Sequence, residues 1–321
     1  MIFNLKFFII FFFITIIFIL FLYIISNLFY NFLKLDNFEK PIFSLGVLIL
    51  MLNYLYFHLN IELKLIFYLF LIFTILGSIF FFFKYKRLNH FKEILLITLI
   101  ISIPLSIIGS LYGEQFYVFR GNIHDHFVYL STGLSFNSYT HSELISFKEN
   151  YPKNLSEEFY LKHVLALIYY RPSIQLFLGF LLNFKFIDVI QVSYLFKIII
   201  TILVSLGSVR FFLKLTNNIK SSFFLSLGFV FSFYYFYNYE IDAYSLIFSL
   251  PFLFLIFSYV IDLKDNLSQK NFILFFKIGF VCAIYFIIYP NGAAIIFVPI
   301  FIYILYLIKL STNKKKYLIN I

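Results

Sequence analysis

A series of long apolar runs limits how this chain can fold more than any other feature of its sequence. The first run covers residues 3–26 and contains one charged side chain, Lys6. In a helix, about 18 to 20 apolar residues are enough to cross the hydrocarbon core of a bilayer. More runs follow, near residues 41–58, 64–83, 93–112, 189–212, 222–238, 244–262, 272–289 and 291–309. We therefore predict an all-α polytopic membrane protein with about nine transmembrane helices.

The composition supports a membrane protein and excludes several other classes. Hydrophobic residues make up 62% of the chain and charged residues 12%, which is too little polar material to cover a soluble domain. The net charge of +10 comes from residues between the apolar runs rather than from one patch or arm, so no nucleic-acid partner is expected. Cys282 is the single cysteine, which excludes an internal disulfide and a thiolate metal site. The lipid bilayer is the partner that this composition indicates.

Lysine and arginine concentrate in alternate connections between the apolar runs. They occur in 84–92, in 210–220 and near the chain end in 314–316, whereas the short connections on the other side contain none. Short loops rich in these residues stay in the cytoplasm. We therefore predict that the large connection 113–188 lies outside, on the periplasmic side of a bacterial inner membrane.

One apolar segment inside this external connection is short for a full crossing. It covers residues 171–186, with the sequence RPSIQLFLGFLLNFKF. A crossing here would move 210–220 to the outside and so break the charge bias. We predict a helix that dips into or lies along the outer leaflet, together with short interfacial helices elsewhere in the loop.

Ionisable residues gather in one stretch of the external connection, FRGNIHDHFVYLS. It contains Arg120, His124, Asp125 and His126. Asp125 precedes an apolar stretch that is expected to hold it near the membrane surface, where desolvation and neighbouring charge tune a carboxylate. From the residues alone, a catalytic carboxylate and a solvated loop charge both remain open.

The two histidines beside Asp125 also suggest a metal site. His124 and His126 are two positions apart, so they share a face on a strand but not on a helix. No clear third ligand accompanies them. The prediction is therefore no cofactor, and a divalent metal stays as an alternative.

Four further residues are candidates for binding substrate. Arg171 directly precedes Pro172 at the start of an apolar helix, where it either snorkels to the interface or clamps a phosphate. Glu240 and Asp242, in YNYEIDAY, either mark a tight turn or belong to the external site. Lys197 lies roughly 12 Å from the outer end of its apolar run at the helical rise per residue. It either snorkels or faces a polar cavity.

The order of these features over residues 93–262 resembles the GT-C superfamily of polyprenyl-phosphate-sugar-dependent glycosyltransferases. A span precedes the loop with the HDH motif, and then come YYRPSIQLFLGFLLN, a basic connection and the acidic turn in NYEIDAYSLIFSLPFLF. The resemblance rests on this order. It implies a multi-span helical core whose active site faces outward and uses an acid of the first external loop.

The resemblance also implies roles for the candidate residues. Asp125 would act as general base on the acceptor hydroxyl, with His124 or His126 orienting it. The donor would be a polyprenyl-phosphate sugar, and the acceptor a glycan, a lipid or a protein of the cell envelope. The residues that would bind substrate are Arg120, Arg171, Lys197, Glu240 and Asp242.

Three segments follow from this assignment. They are an N-terminal three-helix membrane segment (1–92), a GT-C-like core with the external loop (93–262), and C-terminal membrane helices with a basic cytoplasmic tail (263–321). Other functions stay open. A polysaccharide polymerase or ligase would depend more on the arginines and histidines, and a transporter or flippase would place ionisable groups near mid-membrane. A catalytically degenerate partner subunit is a further alternative.

Overall fold

The computed structural model describes residues 4–84, 91–112, 123–149, 172–184, 187, 189–232, 235, 238, 243–265 and 272–310. These residues form helices and short connections, and no strand occurs among them. A π-helical turn, Tyr54–His58, extends the second helix. The helices are α1 (Leu5–Leu33), α2 (Glu39–Asn53), α3 (Leu63–Lys84), α4 (Lys92–Tyr112), α5 (Ile123–Ser138), α6 (His141–Glu149), α7 (Pro172–Leu181), α8 (Val189–Thr216), α9 (Ile219–Val230), α10 (Tyr244–Asp265), α11 (Phe272–Ile288) and α12 (Pro290–Leu310).

Six helices within the described ranges are long and apolar enough to cross a membrane, namely Leu5–Asn27, Glu39–His58, Lys92–Ser110, Gln191–Thr216, Tyr244–Lys264 and Pro290–Leu307. Shorter apolar helices cover Leu63–Ile79, Pro172–Leu181, Ile219–Val230 and Phe272–Ile288. The predicted class, a helical multi-pass membrane protein, is confirmed in this form. The sequence predicts nine spans, and six of the described helices are long and apolar enough to cross. The numbers differ because some of the apolar runs form described helices of only 10–17 residues.

The helix α8 is the centre of the bundle. It packs against α1, α2, α4, α5, α7, α9 and α10, and 94% of its most apolar stretch is buried. The helix α12 is peripheral by contrast, since 22% of its apolar stretch is buried. Its exposed side chains include Ile295 and Phe301. Apolar faces of this kind suit contact with lipid.

Small hydroxyl side chains hold α9 against α8. The hydroxyl of Ser226 lies 2.8 Å from that of Ser205 and 2.7 Å from that of Ser208. The two helices are joined by a tight turn in which Asn217 has a φ of 52°, a conformation that asparagine tolerates. Asn218 then caps α9 by accepting the backbone N–H groups of Lys220 and Ser221. Small residues and interhelical hydrogen bonds are the usual basis of close helix packing in membranes.

The helix α7 comes from the long connection 113–188 and is buried inside the bundle. Nine of its ten residues, Ser173 to Leu181, are buried, and it packs against α2, α3, α5, α8, α10 and α11. It crosses α5 where two glycines meet, because a Cβ on Gly179 would lie 2.5 Å from the carbonyl oxygen of Gly133. The other helices thus surround α7 and bury its apolar side chains inside the bundle.

The bundle has two ends that differ in chemistry. At the first end, Arg210 near the end of α8 contacts Glu39 at the start of α2 and Asp262 near the end of α10. We name this the basic end. At the other end, the hydroxyl of Tyr56 donates to the carbonyl oxygen of Tyr139 at 2.8 Å. We name this the loop end because the helices of the external connection pack there. The two ends are opposite, since α2 begins at one and its π-helical extension reaches the other.

Candidate functional site

A cationic side chain lies where α8 meets α5 and α10, towards the loop end. The ammonium nitrogen of Lys197 is 5.9 Å from the ring centroid of Tyr244, the first residue of α10. The ring of Tyr244 contacts that of Tyr129 in α5, with centroids 5.4 Å apart. Thr201 donates to the carbonyl oxygen of Lys197 at 2.8 Å, and its hydroxyl lies 2.8 Å from that of Tyr235. The backbone and the side chain of Lys197 are thus both held by neighbours.

Lys197 is also the one residue among 191–210 that is not buried. Every other side chain in this part of α8 is enclosed by the surrounding helices. Lys197 is therefore the one side chain of this stretch that is partly accessible. A lysine at such a position is costly unless it meets water or an anion, so it marks a candidate functional site.

The HDH motif lies in the first turn of α5. The backbone of His124, Asp125 and His126 is helical, and their side chains lie outside the described part of the chain. At 3.6 residues per turn, Asp125 is about one turn before Tyr129. The ring of Tyr129 contacts that of Tyr244, and the Tyr244 ring lies near Lys197. Helical positions two apart do not share a face, so the strand geometry that would align His124 and His126 is not the one adopted.

Four of the predicted substrate-binding residues, namely Arg120, Arg171, Glu240 and Asp242, lie outside the described residues. Lys197 is therefore the predicted site residue whose side-chain surroundings are visible. Among the residues that the structure describes, no group of three His, Cys, Asp or Glu side chains is placed to hold a metal ion.

The helix α6 is docked on the connection between α2 and α3. Asn60 donates to the hydroxyl of Ser142 at 2.6 Å and accepts the Ser142 backbone N–H at 2.7 Å. Thr140 and Glu143 form a reciprocal cap at the start of α6, with the Thr140 N–H donating to the carboxylate at 2.8 Å. The hydrogen bonds from the backbone and hydroxyl of Thr140 lower the pKa of Glu143. The connection 113–188 is thereby anchored at the loop end by specific polar contacts.

A second group of charged residues, which sequence reasoning missed, occupies the basic end. Arg210 donates to Glu39 at 3.0 Å and to Asp262 at 2.8 Å, and it also pairs with Asp36. Lys277 of α11 donates to Glu39 at 2.9 Å. We call Asp36, Glu39, Arg210, Lys214, Asp262 and Lys277 the charged cluster.

The charged cluster joins four helices through balanced charges. Its three acids meet three bases, since Lys214 also pairs with Asp262 at 2.5 Å. From the sequence, Arg210 is predicted to lie in a short basic connection, whereas it lies within α8 and is 7% exposed. One local pattern could have indicated the acidic side. In DNFE, Asp36 and Glu39 accept each other's backbone N–H groups at 2.9 and 3.2 Å, which is a capping box at the start of α2.

The two charged regions differ in what they can do chemically. In the charged cluster each ion has an opposite partner, so its evident role is to tie helix ends together. At the loop end, Lys197 presents a partly exposed cation beside aromatic side chains, which suits an anionic ligand. Comparison with known proteins adds no candidate, because no protein-family model, curated protein or solved structure matches the chain.

Proposed function

We propose that the chain is a membrane glycosyltransferase that moves a sugar from a polyprenyl-phosphate donor to an envelope glycan, lipid or protein at the outer face of the membrane. The observation that carries this proposal is the partial exposure of Lys197 within the otherwise buried stretch 191–210 of α8. A lipid phosphate in the outer leaflet needs a cation at the edge of the protein. The resemblance of residues 93–262 to GT-C enzymes supplies the reaction class.

The proposal includes a topology of nine crossings, with the basic end in the cytoplasm and the loop end in the periplasm. Three helices whose apolar stretches are shorter than those of the six, α3, α9 and α11, complete the count, and bilayer thinning or snorkelling side chains accommodate such stretches. The supporting observation is that α2 and α10 run in opposite directions between the two ends. The lysine-rich connections and the charged cluster then share one side, as the positive-inside bias requires.

In the proposed reaction, Asp125 acts as general base and Lys197 as a phosphate partner. The acceptor oxygen attacks the anomeric carbon of the donor while the bond from that carbon to the phosphate oxygen breaks. The acceptor proton moves to the Asp125 carboxylate, and the polyprenyl phosphate leaves with the negative charge, which Lys197, Arg171 and Arg120 stabilise. A single displacement of this kind inverts the configuration at the anomeric carbon. The proposal assigns donor contacts also to Glu240 and Asp242.

Substitution of Lys197 tests the observation that carries the proposal. Lys197→Met keeps an unbranched apolar side chain but removes the charge, so it is expected to weaken binding of a short-chain polyprenyl monophosphate by about 10-fold or more. Lys197→Arg is expected to bind more tightly than Lys197→Met. The measurement is a titration of the purified protein in detergent, followed by intrinsic tyrosine fluorescence.

Lys220→Met is the matched control, because Lys220 is an exposed lysine at the start of α9 near the basic end. We expect it to bind the lipid phosphate as the unsubstituted chain does. Equal affinities of Lys197→Met and the unsubstituted chain would contradict the proposed phosphate site. Loss of binding in both lysine variants would instead indicate non-specific attraction to a cationic protein.

A further inference from the structure

Two histidines lie near each other where α6 docks on the connection between α2 and α3. The imidazole of His141, the first residue of α6, packs against the ring of Phe57 at 4.9 Å in a perpendicular arrangement. It lies 6.2 Å from the ring of Tyr56 and also hydrogen-bonds to the backbone of Phe57. His58, the next residue, is close enough for its charge to act on His141.

We propose that this contact is a pH-sensitive latch, in which protonation of His141 beside His58 releases α6 from the α2–α3 connection. The latch consists of His141 and Ser142 on one side and Phe57, His58 and Asn60 on the other. This inference goes beyond the proposed function and holds whether or not the chain transfers sugars. Its consequence is that the external connection has a docked arrangement at neutral pH and a released one in acid.

The ionisable groups around His141 favour release rather than retention on protonation. Among the described residues, His58 and Tyr56 face it from the α2–α3 connection, and Glu143 is on α6 itself. Glu143 is engaged with Thr140 at the helix cap. Glu62 and Lys64, at the start of α3, are exposed to solvent. His141 thus meets a second imidazole and two aromatic rings in the latch.

The direction of the pH dependence follows from how docking affects the imidazole. Burial lowers the pKa of His141 from its ordinary value of 6.5, the charge of His58 lowers it further, and the hydrogen bond to Phe57 opposes both. A group whose pKa is depressed by docking stabilises the docked state above the undocked pKa. That contribution is lost as the pH falls below about 6.5 and through the docked value. Acid therefore weakens the latch.

Pulsed electron–electron double resonance between two spin labels tests the latch. The labels are attached at neutral pH, and they then report the distance between the two labelled positions at each pH that is measured. The labels are placed at the exposed positions Lys64 and Ser146, as cysteines in a Cys282→Ala background. We expect one short distance at pH 7.5 and, at pH 5, a second, longer population increased at least threefold. The full chain is measured in lipid nanodiscs.

Two variants distinguish the latch from general acid sensitivity. His141→Gln keeps a hydrogen-bond donor without titrating, so the short distance is expected to persist at pH 5. His58→Gln, at an exposed position that tolerates substitution, is expected to reduce the longer population without abolishing it. The proposal is overturned by identical distance distributions at pH 7.5 and 5 in the unsubstituted chain. An undiminished acid response in both variants overturns it equally.

Discussion

Arg210 makes more ionic contacts than any other side chain of the charged cluster. It is 7% exposed and pairs with carboxylates from the α1–α2 connection, the start of α2 and the end of α10. Arg210→Ala leaves these buried carboxylates with less compensating charge, and we expect it to lower the free energy of unfolding by about 3–5 kcal/mol. The measurement is thermal or denaturant unfolding of the purified protein in detergent.

Lys214→Ala is the control for Arg210→Ala. The Lys214 side chain is 30% exposed and pairs with Asp262 alone in the cluster, so its loss is expected to cost about 1 kcal/mol or less. A stability change of similar size in both variants would contradict the central position assigned to Arg210.

In contrast to Arg210, Gln175 is a buried polar side chain that has no hydrogen-bond partner among the described residues. Its side chain on α7 is fully buried, and neither its nitrogen nor its oxygen has a hydrogen-bond partner. Because such a group loses its hydration without compensation, Gln175→Met is expected to stabilise the protein by about 1–3 kcal/mol. Gln191 is equally buried but has an interaction partner, so Gln191→Met should destabilise. Unfolding midpoints of the two variants check this difference, and destabilisation by Gln175→Met would contradict it.

At the scale of elements, the crossing of α5 and α7 determines how the external connection enters the bundle. A Cβ on Gly179 would lie 2.5 Å from the Gly133 carbonyl oxygen and 2.9 Å from a methyl of Leu63. Since a backbone atom cannot move aside cheaply, Gly179→Ala is expected to push the helices apart and cost about 1–3 kcal/mol. Unfolding of the purified variant measures this cost.

Gly228→Ala is the matched control for the helix crossing. A Cβ at Gly228 in α9 would meet no atom within 4 Å, so only the helix preference for alanine remains, which favours the variant by up to about 1 kcal/mol. If Gly179→Ala were as stable as Gly228→Ala, α5 and α7 would not cross as closely as described.

The individual helices were predictable from the sequence, and their partners were not. The apolar runs near 244–262 and 272–289 correspond closely to α10 and α11, because a long apolar run in a membrane has few options besides a helix. The burial of α7 among other helices was not predicted, since apolarity suits lipid and protein surroundings equally. Whether Gln175 faces lipid or six helices depends on long-range packing that no local pattern encodes.

The same limit applies to the candidate site. Lys197 was singled out from its depth in an apolar run, and the structure adds that it is partly exposed and lies near the ring of Tyr244. The charged cluster was missed because Asp36 and Arg210 are far apart in the chain and each looks like an ordinary connection residue. Only the capping pattern of Asp36 and Glu39 was local enough to be recognised in the sequence.

At the scale of the whole molecule, the two ends of the bundle differ in the polar contacts that their helices make. The charged cluster ties α2, α8, α10 and α11 together at the basic end. The loop end gathers α5, α6 and α7 from the external connection, beside the partly exposed Lys197.

The central claim is that the chain transfers a sugar at the loop end with Asp125 as the base. The most direct measurement is transfer from a radiolabelled polyprenyl-phosphate sugar, in membranes that contain equal amounts of each folded variant. Asp125→Asn preserves size but removes the basic carboxylate, so transfer is expected to fall by about 100-fold or more, whereas Glu149→Gln should transfer normally. Transfer by Asp125→Asn at the rate of the unsubstituted chain would contradict the account, as would the absence of any transfer by the unsubstituted chain.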